Sequence, residues 1–120
     1  MPWASFDDGT HDDPRILDAG LAGAGLYLCV TCYMARHLTD GVISRKAIDK
    51  ILEDGDTAPL DALLRTGLLV ELGDDYEAPE FLKANRSREK VEQDRAEATE
   101  RQRKWREKQK RKREERERDA

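Results

Sequence analysis

Two cysteines, Cys29 and Cys32, stand three residues apart. Two thiolates at that spacing converge on one point, so the pair could hold zinc or carry redox chemistry. Structural zinc needs four ligands, and the chain offers no second such pair and only two histidines, His11 and His37. A redox pair would open a helix, where the dipole lowers the thiol pKa, whereas this one lies within an apolar run. The expectation is therefore two small residues in a buried core, with a metal site shared with His37 as the alternative. No metal and no cofactor are predicted.

Gly20-x-x-Gly23-x-Gly25 has the look of a phosphate-cradling loop, but it follows no strand and precedes no Lys-Ser/Thr pair. A kinked helix start or a close helix contact accounts for it better. Asp7, Asp8, Asp12 and Asp13 match no calcium-loop spacing and read as a solvated acidic arm. No nucleophile, base and orienting group fall together, so no enzyme is expected.

The basic run is the strongest chemical signal. Residues 101–113 contain nine cations, Arg101, Arg103, Lys104, Arg106, Lys108, Lys110, Arg111, Lys112 and Arg113, against Glu107 alone. Such a cluster attracts phosphate backbones by counterion release and carries no base-reading geometry. Trp105 within it could stack on an unpaired base or anchor a protein groove.

The elements that position these groups follow from local signals. Asp13 and Pro14 start a helix, Gly20 allows a break, and Leu21 to Leu38 is apolar nearly all round, as in a helix enclosed by other elements. Thr39-Asp40-Gly41 ends it, and Val42-Ile43 is β-prone. Ser44 caps a helix whose Ala47, Ile48, Ile51 and Leu52 recur at helical spacing, closed by Gly55. Thr57 caps the next, with Leu60, Leu63 and Leu64 inward and Gly67 as its stop. Residues 68–72 and 76–78, joined by Gly73-Asp74-Asp75, spell a β-hairpin. The expected fold is mainly α with a small β-hairpin: a winged helix-turn-helix domain over residues 1–82, followed by a charged, basic helical tail over 83–120. Before the first helix, residues 1–12 read as an extended arm anchored by Trp3 and Phe6.

From Ser87 onward the sizeable apolar side chains are Val91 and Trp105, and no Gly or Pro interrupts. Glu97/Arg101, Glu100/Lys104, Glu107/Arg111 and Glu114/Arg118 stand four apart with the acid first, each pair adding about 0.2–0.5 kcal/mol to a helix. Val91, Ala98 and Trp105 are seven apart, but the complementary Arg95, Gln102 and Gln109 are polar, so a solvated single helix is preferred to a coiled coil.

Charge is divided along the chain. Of 120 residues, 40% are charged; residues 1–85 hold 7 Lys+Arg against 16 Asp+Glu, a net −9, and residues 86–120 hold 15 against 10, a net +5. In the body, Arg45, Lys46 and Lys50 precede the candidate recognition helix, whose one cation is Arg65, with Asp61 inside it and Asp54 and Asp56 just before it. These four cations are expected on one exposed face beside the hairpin tip if the body reads DNA. If the body is instead an adaptor, the acids Asp54, Asp56 and Asp61 form its interface. Residues 19–35 carry no charge, but the stretch is short and glycine-diluted, so no membrane span is expected. With an acidic N-terminus and two cysteines, the protein is expected to be soluble and cytoplasmic.

Several strings in order resemble small helix-turn-helix proteins of actinobacterial phages and prophages. They are Met1-Pro2-Trp3, Asp7-Asp8-Gly9-x-His11, Pro14-x-Ile16-Leu17, His37-Leu38-Thr39-Asp40-Gly41-x-Ile43, Gly67-Leu68-Leu69 and residues 85–91. The likeness spans most of residues 1–105. It implies a replication-initiation or replisome-organiser role on a winged-helix domain similar to DnaD-type proteins, with DNA and a phage or host replication protein as partners, and it implies no catalytic residue. Such proteins often continue past the charged helix, so a recruitment domain is expected to be missing here or supplied by a partner. The expected function is phage-type DNA binding in replication initiation or its control. The alternatives are a non-enzymatic protein–protein adaptor and a transcriptional regulator on the same fold.

Overall fold

A computed structural model describes residues 3–53 and 55–119. Met1 and Pro2 of the N-terminal motif, and Asp54 of the acidic trio, lie outside the described residues. The chain forms two compact units, one ending at Arg88 and one beginning at Glu89.

The first unit begins with a 3-10 turn, Thr10–Asp12, where an extended arm is predicted. Helix α1 (Pro14–His37) follows. Asp13 caps it, its carboxylate accepting from the Arg15 backbone N–H at 2.8 Å, and Pro14 fits the first turn, where no N–H donor is required. The break at Gly20 is real: φ of +76° and ψ of 175° kink the helix there, a conformation that a Cβ would resist. A Cβ at Gly23 would stand 2.8 Å from Cβ of Ala19, so the missing side chain makes room for the turn before the kink, while Ala62 and Leu63 lie at ordinary contact distances of 3.5 and 3.9 Å. The glycine string is thus a kink and a helix contact. The helix ends where Leu38 turns left-handed and returns its N–H to the Met34 carbonyl.

Strand β1 (Val42–Ser44) leads into α2 (Arg45–Ile51), which Ser44 caps by accepting from Ala47 N–H at 3.1 Å. Helix α3 (Ala58–Thr66) carries Pro59 in its first turn; the expected cap Thr57 makes no side-chain cap hydrogen bond, and Asp56 accepts from the Ala58 N–H at 3.0 Å. Gly67 then ends it. The hairpin forms from β2 (Val70–Leu72) and β3 (Asp75–Glu77), and β1 joins it as a third, antiparallel strand in the order β1-β3-β2. Tyr76 sits opposite both Ile43 and Glu71. A short α4 (Phe81–Ala84) completes the first unit. The chain is mainly helical, with this small sheet and a long C-terminal helix, α5 (Arg88–Asp119).

Val30 and Met34 of α1, Ile43 of β1, Ile48 of α2, Leu63 of α3, and Leu68 and Leu69 before the hairpin are fully buried and form one core. Four sequence expectations need correction. Cys29 and Cys32 are exposed, because Leu26, Val30 and Met34 take the inward positions of α1 and its far side is uncovered. Helix α1 is therefore enclosed on one side only. Leu17 lies 65% exposed beyond the core-packed Ile16, and Trp3 at 88% exposure anchors nothing, while Phe6 does pack edge-on against Tyr27 with centroids 6.2 Å apart. Since substitution at exposed positions usually changes stability by within about 0.5 kcal/mol, Cys29→Ala with Cys32→Ala is expected to leave the chemical denaturation midpoint nearly unmoved. A loss of several kcal/mol would restore the buried reading.

An ionic clamp holds the start of α1 to the segment before α4. Arg15 Nη2 lies 2.8 Å from Asp13 Oδ2 and its Nη1 3.1 Å from Glu80 Oε1, while Lys83 Nζ reaches Glu80 Oε2 at 2.9 Å. The side-chain hydrogen bond from Arg15, joined by its backbone N–H, pulls the Asp13 carboxyl down to about 2. Lys83 and then Arg15 hold Glu80 below its ordinary value as well. Both carboxylates are favoured in the folded state, so their contribution is whole above the ordinary carboxylate range and drains as pH falls toward about 2. Unfolding midpoints measured from pH 6 down to pH 2 are expected to decline less steeply in Asp13→Asn than in the wild type.

Candidate nucleic-acid interface

The four body cations do not share one face. Lys46 and Lys50, four apart on the exposed side of α2, line a concavity with Tyr33, His37, Ala47, Ile51 and the acidic Glu53. The Tyr33 and His37 rings tilt against each other on its α1 wall, with centroids 4.3 Å apart. Arg45, about 100° further round α2, turns to the sheet, its guanidinium 5.6 Å from the centre of the Tyr76 ring. Arg65 is engaged elsewhere: its Nε stands 3.7 Å from Asp18 Oδ2 and its Nη2 donates to the Asp18 carbonyl at 3.1 Å. Asp18 precedes the Gly20 kink and Tyr33 lies fifteen residues later, so about 20 Å of helix separates Arg65 from the lysine concavity.

The exposed side of α3 is Ala58, Asp61 and Arg65. With Arg65 partly neutralised by Asp18, that side offers phosphates little attraction. Beyond the helix, the hairpin presents exposed Val70 and Leu72 and the turn at Gly73 and Asp74. Lys46 and Lys50 share the concavity between α1 and α2; Arg15 and Lys83 line another, where Asp13 and Glu80 already engage them. The sequence does not single out Tyr33 and offers His37 only as an alternative metal ligand, although their spacing of four on one helix signals a shared wall.

In the second unit, α5 is exposed along nearly its whole length, and Val91 is its one buried residue among those described. The expected pairs with Lys104 and Arg111 give way to a different arrangement. Arg103 bridges both acids, with Nη1 2.7 Å from Glu107 Oε1 and Nη2 2.5 Å from Glu100 Oε1. That bond holds Glu100 below its ordinary pKa. An arginine fork between two carboxylates meets better geometry than two separate lysine or arginine contacts would. Among the described residues, the other eight cations of the run, Arg101, Lys104, Arg106, Lys108, Lys110, Arg111, Lys112 and Arg113, enter no ion pair. Trp105 is 62% exposed among them. At 100° per residue, Arg101, Trp105, Lys108 and Lys112 fall on one side of the helix, while the remaining cations surround it. The arrangement can neutralise phosphates from any approach and offers one aromatic surface for stacking.

The described residues assemble no cluster of three or more His, Cys, Asp or Glu side chains suited to a metal ion. Helix α1 is long and apolar enough to cross a membrane by length and composition alone. Compared with protein-family models, with curated proteins and with solved structures, the chain matches none of them.

Proposed function

We propose that this chain is a phage-type DNA-binding protein acting in replication initiation or its control, soluble in the cytoplasm and without catalytic activity of its own. The observation that carries the reading is the run of eight unpaired cations on α5, with Trp105 exposed in its midst. Such a helix supplies affinity for phosphate backbones without reading sequence. The order α1, β1, α2, α3, β2, β3, with β1 on the far side of β3, is the arrangement of a winged helix-turn-helix and supports that identity for the body. In that frame Lys46 and Lys50 on α2 are backbone contacts that would set orientation, and Arg45 and Arg65 contribute less because each is already engaged.

A second reading, that the body is an adaptor for another protein, is favoured by the exposed side of α3, where Asp61 stands beside an arginine held by Asp18. Gel-shift titration of the full chain against unrelated duplexes, together with Lys46→Ala/Lys50→Ala, separates the two. The DNA reading expects a uniform weakening across sequences from the double substitution. The adaptor reading expects no change on DNA and the loss of a partner in pull-down when Asp56 and Asp61 are reversed in charge.

A further inference from the structure

We propose that the concavity between α1 and α2 binds a nucleoside 5′-monophosphate unit, its phosphate on Lys46 and Lys50 and its base against Tyr33 and His37. The inference rests on the DNA-binding reading and deepens it, because the same unit closes the 5′ end of a strand. Two rows of side chains, each one helical turn long, border a volume of about 630 Å³. That lies within the about 300–1,000 Å³ of pockets that take small molecules. One row is aromatic, the paired Tyr33 and His37 rings, and the other is cationic. Ala47 and Ile51, both half-buried, are the apolar part of the lining.

The lysines single this cavity out. Residues 1–85 hold 7 Lys+Arg against 16 Asp+Glu. Arg15, Arg65 and Lys83 are held by carboxylates, Arg45 lies over Tyr76, and Arg36 stands exposed outside the cavity. Lys46 and Lys50 enter no ion pair among the described residues, in a body rich in acids that could have taken them. Two unpaired ammonium groups in one cavity favour a dianion, and a phosphomonoester is close to one at neutral pH. Ser44 adds a donor: its Oγ accepts from the Ala47 N–H at 3.1 Å, and its hydroxyl hydrogen remains to be given. Glu53 lies three residues beyond Lys50, past the end of α2 at Ile51. The lining is therefore cationic where Ser44 and Lys46 meet and acidic at the opposite end. A ligand anionic at one end, with a flat ring and an amino donor at the other, matches that division. Deoxyadenosine monophosphate has this form. An acidic peptide does not, since its charge runs along its length and the net −9 of residues 1–85 repels it.

Calorimetric titration of the full chain with deoxyadenosine monophosphate, with amide NMR shifts locating the contact, tests the proposal. The expected result is a dissociation constant below about 1 mM, with shifts concentrated in residues 33–37 and 44–53. Inorganic phosphate and deoxyadenosine, each supplying half of the contacts, are expected to bind at least about 10-fold more weakly. Lys46→Ala/Lys50→Ala and Tyr33→Leu should each weaken the nucleotide about 10-fold or more at unchanged circular dichroism, the leucine keeping an apolar side chain against the core. An oligo-dA strand with a 5′-phosphate should outcompete its 5′-hydroxyl counterpart, since α5 binds both alike. Equal competition, with the mononucleotide still held in the cavity, would assign the site to free nucleotide. A mononucleotide that does not bind, that shifts α5 alone, or that ignores the lysine and tyrosine substitutions overturns the proposal, whether or not the chain binds duplex. A chain that holds the mononucleotide here but has no affinity for DNA keeps the site and overturns the DNA-binding reading instead.

Discussion

Removing residues 100–120 is expected to abolish binding to duplex DNA of arbitrary sequence, while the body keeps its circular dichroism signature. The reasoning is electrostatic. The body carries a net −9 over residues 1–85, and the segment 101–113 carries nine cations against one acid. If about five phosphates are neutralised, log K falls against log salt with a slope near −4.5, which amounts to roughly 500-fold between 50 and 200 mM salt. A gentler variant keeps the helix intact: glutamine at Arg106, Lys108, Lys110, Arg111 and Lys112 preserves helix propensity and removes the charge. Its salt slope is expected to shrink to no steeper than about −2.7, the share of the three unpaired cations that remain, Arg101, Lys104 and Arg113. Truncated protein that still binds with the wild-type slope would move the nucleic-acid interface into the body. Trp105→Ala gives the complementary measurement, since a stacked base would lose about 1–3 kcal/mol on single strands and little on duplex.

The largest effect on stability is expected at Leu63. This side chain is fully buried on α3, at the contact between that helix and α1. Leu63→Ala removes its packing and leaves a cavity that the helix contact cannot close, a cost of about 2–5 kcal/mol. Domains of this size have only about 5–15 kcal/mol in total, so the variant should lose a large share of its stability. Urea denaturation followed by tryptophan-independent circular dichroism would show the midpoint fall with an unchanged slope. A change below about 1 kcal/mol would mean that the α1–α3 contact is not the centre of the core.

Element boundaries were legible wherever a single residue type has a local reason to be there. Asp13 with Pro14, Ser44, Gly67 and the Gly73-Asp74 turn each mark an end through hydrogen bonding or backbone geometry that needs no distant partner. What escaped the sequence depends on tertiary placement. Helix α1 is apolar on every side, so periodicity could not tell its core face, through Val30 and Met34, from its open face, through Cys29 and Cys32. Strand β1 is three residues long, too short to show alternation, and its pairing with β3 across more than thirty residues left no local trace. The basic run of α5 was plain from composition. Which cations are already engaged was not, because the partner of Arg65 is forty-seven residues away and Arg103 chose acids on both sides of itself.

The strand order has a consequence for how the protein is made. The central strand, β3, is the last of the three to leave the ribosome, and each of its residues, Asp75, Tyr76 and Glu77, has a partner on both sides. Until it emerges, β1 has no neighbour, and the inward side of α1 waits uncovered for α3 and for Leu68 and Leu69. Vectorial synthesis therefore delivers the most apolar segment first and the pieces that cover it last, an order that exposes a nascent chain to aggregation. The sheet of the body closes only once residues 75–77 are available.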